Sequence, residues 1–510
     1  STWNCAYGGF KLPTSGKWYW EVQASGGNTH PGICLASDNL IASATTYPSN
    51  LLNFWGVYAA DGNKYRGPGN VSISYGSPIT SGDIVGLAFD ADAGTLTFYI
   101  NGVSQGVAFT DLYDEYIPVF GVYDSGVQII NFGQKPFKSP PPDGFQALTG
   151  SSVRPEKVIA DPDQYVGVTK YTGNGSSKTI SGLEFSPDLV WIKDRDIAWA
   201  HQLFDTTRGI HNVVNTDQTN VEASNTQYLT AFNSDGFTVG NNSVVNNGSN
   251  PDDYVAWTWR AGGSKNTFNV DDIGYASAAA AGLTAGDTTV TGASVGTKQG
   301  FSIIKYTGPN DTSNHEVPHG LSQAPNFIIA KNLDVTYNWD IYHSSLADDA
   351  YLIFTNASTR AQGFNGRPTS TVFKTEHGYS TDGNNAYIAY CWHNVPGLQK
   401  FGKFTGNGNA AGPYIELGFR PAIIIIKDTG GNDWYIFDNK REAEHNPSTK
   451  PLFPNGSYAE QPDDRPIDFL SNGFKIRYNQ FFNNSSANMI YAAWAEAPAF
   501  NMYGASSNAR

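Results

Sequence analysis

The sequence has little charge. Lys, Arg, Asp and Glu make up 15% of its 510 residues, with 46 acids against 32 Lys and Arg and a formal net charge of -14. No run of basic residues is present to neutralise the phosphates of a nucleic acid or an anionic membrane, so both are excluded as partners. No stretch approaches eighteen consecutive apolar residues, which excludes a helical membrane span. Cysteine is scarce too. Cys5, Cys34 and Cys391 are odd in number and scattered, giving neither a disulfide framework nor a metal-ligand spacing, and they read as buried thiols. The first methionine is Met489, so Ser1 is not a translation start: either a leader or N-terminal region has been removed, or the chain begins inside a longer one. Helical patterning is missing as well; the Ala-rich stretch from Ala276 to Ala281 is flanked by Gly and too short to stand alone.

Aromatics, at 14%, and turn formers, with 54 Gly and 27 Pro, are what the chain has instead, and they describe an all-β, loop-rich protein. Three segments share one organisation. Each contains a strand-length apolar block between a Pro and a Lys six positions on: Pro187 to Lys193, Pro325 to Lys331 and Pro421 to Lys427. Such runs are too short for a helix and fit strands buried on both faces. Upstream lies Tyr171-Thr172-Gly173, Tyr306-Thr307-Gly308 or Phe404-Thr405-Gly406. Downstream comes a tryptophan at 199, 339 and 434, then Phe204-Asp205, Ile341-Tyr342 and Phe437-Asp438. An aromatic strand closes each copy, beginning at Tyr254, Tyr387 and Tyr491. A turn before it matches in two copies, Ser234-Asp235-Gly236-Phe237 and Ser471-Asn472-Gly473-Phe474, and has no evident counterpart in the middle one. Copies of this length are domains in tandem rather than solenoid units. The expected boundaries are 165–263, 300–397 and 398–497, with a Gly/Ala-rich insert at 264–299 that is either a linker or a pair of edge strands, and a tail at 498–510.

The first 138 residues differ. Gly16-Lys17-Trp18-Tyr19-Trp20-Glu21-Val22 alternates as a half-buried strand does; the segments 81–90, 94–103 and 106–109 follow, with a tight-turn signal at Asn101-Gly102. With 117–122 and Asn131-Phe132-Gly133-Gln134-Lys135-Pro136-Phe137, this ordered set resembles a SPRY domain, a bent β-sandwich. The resemblance implies a binding module without chemistry of its own, contacting ligands through loops at one end. By position those loops hold Tyr47, Tyr65, Arg66 and the turn Tyr123-Asp124-Ser125. Exposed Tyr and Arg on a rigid sandwich suit recognition. Pro140-Pro141-Pro142 then opens a stiff connector, 139–164.

From about residue 150 the chain resembles a repeat of tailed-phage virion structural proteins, marine ones especially, in Phe185 to Lys193, Leu203 to Gly209, Ser234 to Phe237, Tyr254 to Gly263 and the ending from Tyr491. The fold expected is therefore all-β: a SPRY-type sandwich followed by three tandem homologous sandwich-like domains. The resemblance implies a non-enzymatic protein of the virion surface, a tail fibre or tail appendage before a capsid decoration. Its partners would be other virion proteins and a host glycan or outer-membrane component, with homotrimers plausible. A secreted bacterial lectin or adhesin is the reading from another class.

Chemistry has few footholds. His315-Glu316-Val317-Pro318-His319 spells the zinc-protease pattern, but Pro318 breaks the helical turn that pattern needs. Asp161, Asp163, Asp252, Asp253, Asp463 and Asp464 offer oxygens for calcium, yet sit in turn contexts where Asp shapes the backbone, so no cofactor is expected. A carboxylate pair for glycoside cleavage would show only in three dimensions.

Overall fold

The computed structural model describes residues 3–8, 10–14, 16–25, 29–36, 48–51, 53–123, 126–149, 158–249, 252–361, 363–442, 446–460 and 465–498. The chain forms two compact units, Ser1–Glu156 and Lys157–Arg510. Both are built of strands, and no helix among the described residues is long and apolar enough to cross a membrane.

The first unit is a two-sheet sandwich. One sheet runs in the order Trp3–Tyr7, Tyr116–Tyr123, Thr29–Leu35, Phe54–Val57, Lys64–Arg66, Val71–Ile73. The other runs Ile129–Asn131, Lys17–Ser25, Ser81–Asp90, Thr95–Ile100, Val103–Phe109. Strand alternation sends Trp18, Trp20 and Val22 into the core between the sheets, where they meet Val85, Leu87 and Phe98. Asn101 and Gly102 both have positive φ, 49° and 82°, as a two-residue hairpin turn between Ile100 and Val103 demands.

In the second unit all three repeats share one topology. Each four-stranded sheet places the closing strand between the opening strand and the Pro-to-Lys strand, with a short return strand outside. In repeat 1 the order is Val166–Thr172, Asp253–Trp259, Leu189–Asp194, Gln202–Asp205. Repeat 3 has Gln399–Thr405, Asn488–Pro498, Phe419–Asp428, Trp434–Asp438 in the same places. Repeat 2 has Phe301–Thr307, Ala386–Trp392, Phe327–Asn332 and Trp339–His343, and its sheet is extended by the insert. That Gly/Ala-rich segment forms three strands, Phe268–Val270, Ile273–Tyr275 and Thr289–Gly296, the last paired with Phe301–Thr307.

The continuous apolar runs now have a physical account. On the Pro-to-Lys strands, alternate side chains enter different cores. Val190 and Ile192 face a core private to repeat 1, as Ile328 and Ala330 do in repeat 2 and Ile424 and Ile426 in repeat 3. Their neighbours Leu189, Trp191, Phe327, Ile329, Ile423 and Ile425 all enter a single core common to the three repeats. At its centre three tryptophans from equivalent closing-strand positions meet edge to face. Trp259 and Trp494 lie 5.3 Å apart, Trp392 and Trp494 5.8 Å, and Trp259 and Trp392 6.2 Å, with interplanar angles of 67–71°. Their buried indole N–H groups find no oxygen acceptor; edge-to-face packing offers them ring faces instead.

The repeats close on one another through three equivalent junctions. Two residues past each motif lysine, a backbone carbonyl accepts an N–H from the neighbouring repeat: Leu333 O from Glu222 (2.9 Å), Thr429 O from Thr359 (2.8 Å) and Arg195 O from Glu460 (2.6 Å). The Trp339 indole donates to Asn215 O (2.8 Å), and the Trp434 indole to Ile353 O (2.9 Å). Repeat 1 therefore grips repeat 2, repeat 2 grips repeat 3, and repeat 3 returns to repeat 1: a pseudo-threefold ring within one chain.

Two sequence matches need correction. Trp339 and Trp434 pair with Lys331 and Lys427, but counting the same register in repeat 1 leads from Lys193 to His201, not to Trp199, which is exposed. His201 accepts the Trp191 indole N–H at 2.8 Å and fills the buried place. In repeat 2 the residues equivalent to Phe204-Asp205 are Tyr342-His343, one position beyond Ile341-Tyr342. The turn without a counterpart is also placed. Phe237, Phe373 and Phe474 occupy equivalent registers, and the middle turn is made by Thr369, whose Oγ1 accepts the N–H groups of Thr371 (3.3 Å) and Val372 (3.1 Å). At the two matching turns a Cβ on Gly236 or Gly473 would fall about 2 Å from the carbonyl oxygen of Ile180 or Ile415, so the glycine permits close strand approach there.

The insert is pinned to repeat 2 by His315, whose ring nitrogens lie 3.0 Å from Asp287 and 2.9 Å from Asp311. Burial works against the charged imidazole, but the hydrogen bonds to Asp311 and Asp287 outweigh it and hold its pKa above the usual value. The sign follows from linkage: the pin is fully present below about 6.5 and is lost as pH rises through the raised folded value. Both carboxylates are held below their usual range, so acid weakens the pin only under about pH 4. Amide exchange at Glu316, whose N–H donates to Asp287, is expected to accelerate on going from pH 6 to pH 9 beyond the intrinsic trend. His315→Gln is expected to remove the excess.

Candidate functional site

One end of the sandwich carries an aromatic cluster. His30 lies buried on Thr29–Leu35 with rings on several sides: Phe54 at 4.7 Å, Tyr65 at 5.3 Å, Tyr58 at 5.5 Å and Trp3 at 6.1 Å. Burial pushes its pKa down to about 3, so the ring is neutral at physiological pH. Trp3 pairs in register with Tyr123 and packs on its ring at 5.4 Å. The Tyr65 hydroxyl donates to Asp61 at 2.7 Å.

Of the residues singled out by sequence, Tyr65 and Tyr123 therefore meet in one cluster, through Trp3, Tyr58 and His30. Tyr65 is not a loop residue: it lies on Lys64–Arg66 and is buried, while Tyr123 ends its strand half-buried. Arg66, the next residue on the strand, points to the opposite side. It is exposed and its guanidinium lies 5.9 Å from the Trp55 ring centroid, a cation–π contact. Tyr47, Asp124 and Ser125 lie outside the described residues. Sequence reading missed Trp3, Tyr58 and His30, for which strand alternation around residues 3–7 and 54–57 was the available signal.

The His315-to-His319 segment is a strand, Glu316–Pro318, paired with Val372–Lys374, so the two histidines are not a helical turn apart. His319 accepts the Leu321 N–H through Nδ1, and burial lowers its pKa to about 4. Among the described residues no group of three or more His, Cys, Asp and Glu side chains is placed to hold a metal ion. Asp252 is buried and accepts a hydrogen bond from Asn247; Asp463 and Asp464 lie outside the described residues.

The buried charges of the ring serve its construction. Lys193, Lys331 and Lys427 are inaccessible. The Lys193 and Lys427 ammoniums donate to carbonyls of the loop that follows, Asp194 and Ile197 in one case and Asp428, Gly431 and Asn432 in the other, while Lys331 donates to Asn332 O and, across the junction, to Thr219 O of repeat 1. Burial lowers all three pKa values to about 8, leaving them mainly charged at pH 7. Asp205 bonds Arg208 within repeat 1 and Asp438 bonds Arg441 within repeat 3, and each carboxylate also accepts a bond across a repeat junction, from the Tyr390 hydroxyl and the Trp257 indole respectively. Repeat 2 puts His343 and Leu346 where the others have Asp and Arg. His343, its pKa lowered to about 4 by burial, lies 3.1 Å from Tyr491 O, so a neutral contact replaces the ion pair.

Residues 17–135 match the SPRY domain family. The corresponding part is 33% identical over 138 residues to a Ran-binding proteins 9/10 homolog of Drosophila melanogaster, 25% of this chain and 14% of that protein. It is 32% identical over 145 residues to the E3 ubiquitin-protein ligase RKP of Arabidopsis thaliana, 27% of this chain and 11% of that one. The chain thus spans a small part of these relatives' length. The solved SPRY domain of human HERC1 aligns over 27% of this chain and 86% of its own, at 20% identity and a TM-score of 0.22. The ring matches a different family, described as Domain of unknown function (DUF7483), over residues 161–498. That match covers more than half of the chain, which, with a SPRY domain at its N-terminus, belongs to the DUF7483 family.

Proposed function

We propose that the chain is a non-enzymatic recognition protein of a tailed-phage virion surface: a SPRY domain that takes a host-surface ligand, carried with a self-closing ring that serves as a rigid body. The observation that carries this reading is the commitment of the ring's buried charges. Lysines, Asp–Arg pairs and indoles are spent at equivalent positions on loop carbonyls and repeat junctions, a pattern of architecture rather than catalysis. The virion setting rests on the repeat motifs. Two relatives of the N-terminal domain carry names that speak of binding or ligating proteins, which supports a recognition role for it here.

Tyr123 is the half-buried outlet of the aromatic cluster, and Arg66 reports on the opposite side. Labelled full chain applied to cells of the phage's host is expected to be retained. Tyr123→Ala is expected to lower retention at least tenfold while Arg66→Ala leaves it within twofold. Absence of retention by the unaltered chain contradicts the reading.

A further inference from the structure

Among the described residues of the ring six large apolar side chains are exposed, and five of them lie on the loops that follow the motif lysines or on segments bonded to those loops: Ile197, Trp199, Val221, Val335 and Tyr458. Three of them gather at the junction that closes repeat 3 on repeat 1. Segment 195–201 runs beside segment 453–460: Glu460 N–H bonds Arg195 O at one end, and His201 lies against the Phe453 and Gly456 backbone at the other. Ile197, Trp199 and Tyr458 fall between these contacts, exposed by 37%, 40% and 56%.

Trp199 is there because the core does not need it. In repeats 2 and 3 the loop's tryptophan turns inward, whereas in repeat 1 His201 holds the inner position and the tryptophan stays outside. The loop that displays it is held by hydrogen bonds of its own. Ile197 N–H donates to Asp194 Oδ1 (2.8 Å), and Ile197 O accepts both the Lys193 ammonium (3.3 Å) and the Trp199 N–H (2.8 Å). Across the junction, the Tyr458 ring packs edge-on to Phe453 at 5.7 Å, and Glu460 is clamped by Arg195 at 2.6 Å. A platform fixed in this way loses little freedom on binding.

Charge and area select the ligand. Arg195 is engaged by Glu460 and Asp253, Arg441 and Lys450 also face Glu460, and Lys193 is buried. Asp196 is exposed beside the platform. Acceptors without an uncommitted cation, among the described residues, disfavour an anionic ligand. With aromatic side chains offering about 150–250 Å² each, the exposed fractions amount to roughly 300 Å². A stable protein partner needs about 800 Å² on each side. Two or three sugar rings fit such a platform, since the C–H faces of a pyranose are apolar and their hydroxyls can donate to a nearby carboxylate. The equivalent loops carry Val335 and a half-buried Tyr337 in repeat 2 and Gly431 and Asp433 in repeat 3, and Asn220 stands where Tyr458 does across the first junction. Exposed aromatics therefore face the ligand from both sides at one junction among the described residues, and no threefold partner is called for.

We propose that Ile197, Trp199 and Tyr458 form a binding subsite for a neutral polysaccharide chain. The test uses purified full chain on an array of immobilised neutral bacterial O-polysaccharides, dextran and mannan, with alginate as the anionic comparator. No virion or host cell is involved, so it stands or falls separately from the SPRY reading. The expected result is retention by at least one neutral polysaccharide and not by alginate. Trp199→Ala and Tyr458→Ala should each weaken it at least tenfold, with Tm within about 2 °C of the parent because both side chains are exposed; Val335→Ala should leave it unchanged. The proposal is overturned if no neutral polysaccharide is retained, if Trp199→Ala binds like the parent, or if alginate binds equally well. It is also overturned if the parent self-associates and Trp199→Ala abolishes that, since a second copy is then the occupant.

Discussion

Trp392→Ala is expected to destabilise the ring by about 3–5 kcal/mol, among the largest losses available to a single truncation. Trp392 is stacked on Phe301 at 4.5 Å within its own repeat and meets Trp259 of repeat 1 and Trp494 of repeat 3. Its removal therefore opens a cavity where all three repeats converge, and no single repeat can relax to fill it. Trp392→Phe keeps most of the volume and is expected to cost less than half as much. Denaturant unfolding followed by far-ultraviolet circular dichroism checks this. A transition of the N-terminal unit, where resolved, should keep its midpoint, because the two compact units have separate cores. Unchanged ring stability in Trp392→Ala would mean that the repeats do not depend on a common centre.

The second large effect is expected at Arg208→Met. Arg208 and Asp205 are both inaccessible, and Arg208 Nε reaches Asp205 Oδ2 at 2.5 Å. Arg208 also donates to Leu203 O (2.9 Å) and to Glu222 (3.1 Å), while Asp205 accepts the Tyr390 hydroxyl from repeat 2 at 2.8 Å. Methionine preserves bulk but leaves a carboxylate buried without its cation, a loss of about 3–5 kcal/mol. The loss should depend on pH. An uncompensated buried carboxyl has its folded pKa raised, so the native state holds a proton that the unfolded chain releases above about pH 4. The variant should thus be closer to the parent at pH 4.5 than at pH 8. Asp205→Asn combined with Arg208→Met should recover part of the loss, and a double-mutant cycle measures how much.

The sandwich in the N-terminal unit was legible because its strands are long and alternate: Trp18, Trp20 and Val22 point one way, and Asn101-Gly102 punctuates the hairpin as it must. The Pro-to-Lys strands were equally plain as strands buried on both faces. Their continuous apolar runs nevertheless hide which face is private and which is shared. Leu189 and Val190 look alike in sequence, yet they enter different cores. Ring closure was therefore not readable. Trp199 shows the complementary failure. Matching residue types paired it with Trp339 and Trp434, whereas strand register gives that buried place to His201. In the middle repeat the turn escaped notice because Thr369 builds it with its hydroxyl and no glycine marks it. At the SPRY end, Tyr65 sits on a three-residue strand, too short to show a period, and His30 and Trp3 join it only through sheet pairing.

The most direct test of the proposed surface-recognition role is a reconstruction of a tailed-phage particle whose genome encodes this chain. The expected density shows the DUF7483 unit as a closed three-lobed body formed by one copy, with Tyr123 of the SPRY domain and the Trp199–Tyr458 junction both open to solvent. Density that buries both surfaces against neighbouring capsid or tail subunits would contradict recognition and leave the protein a decoration.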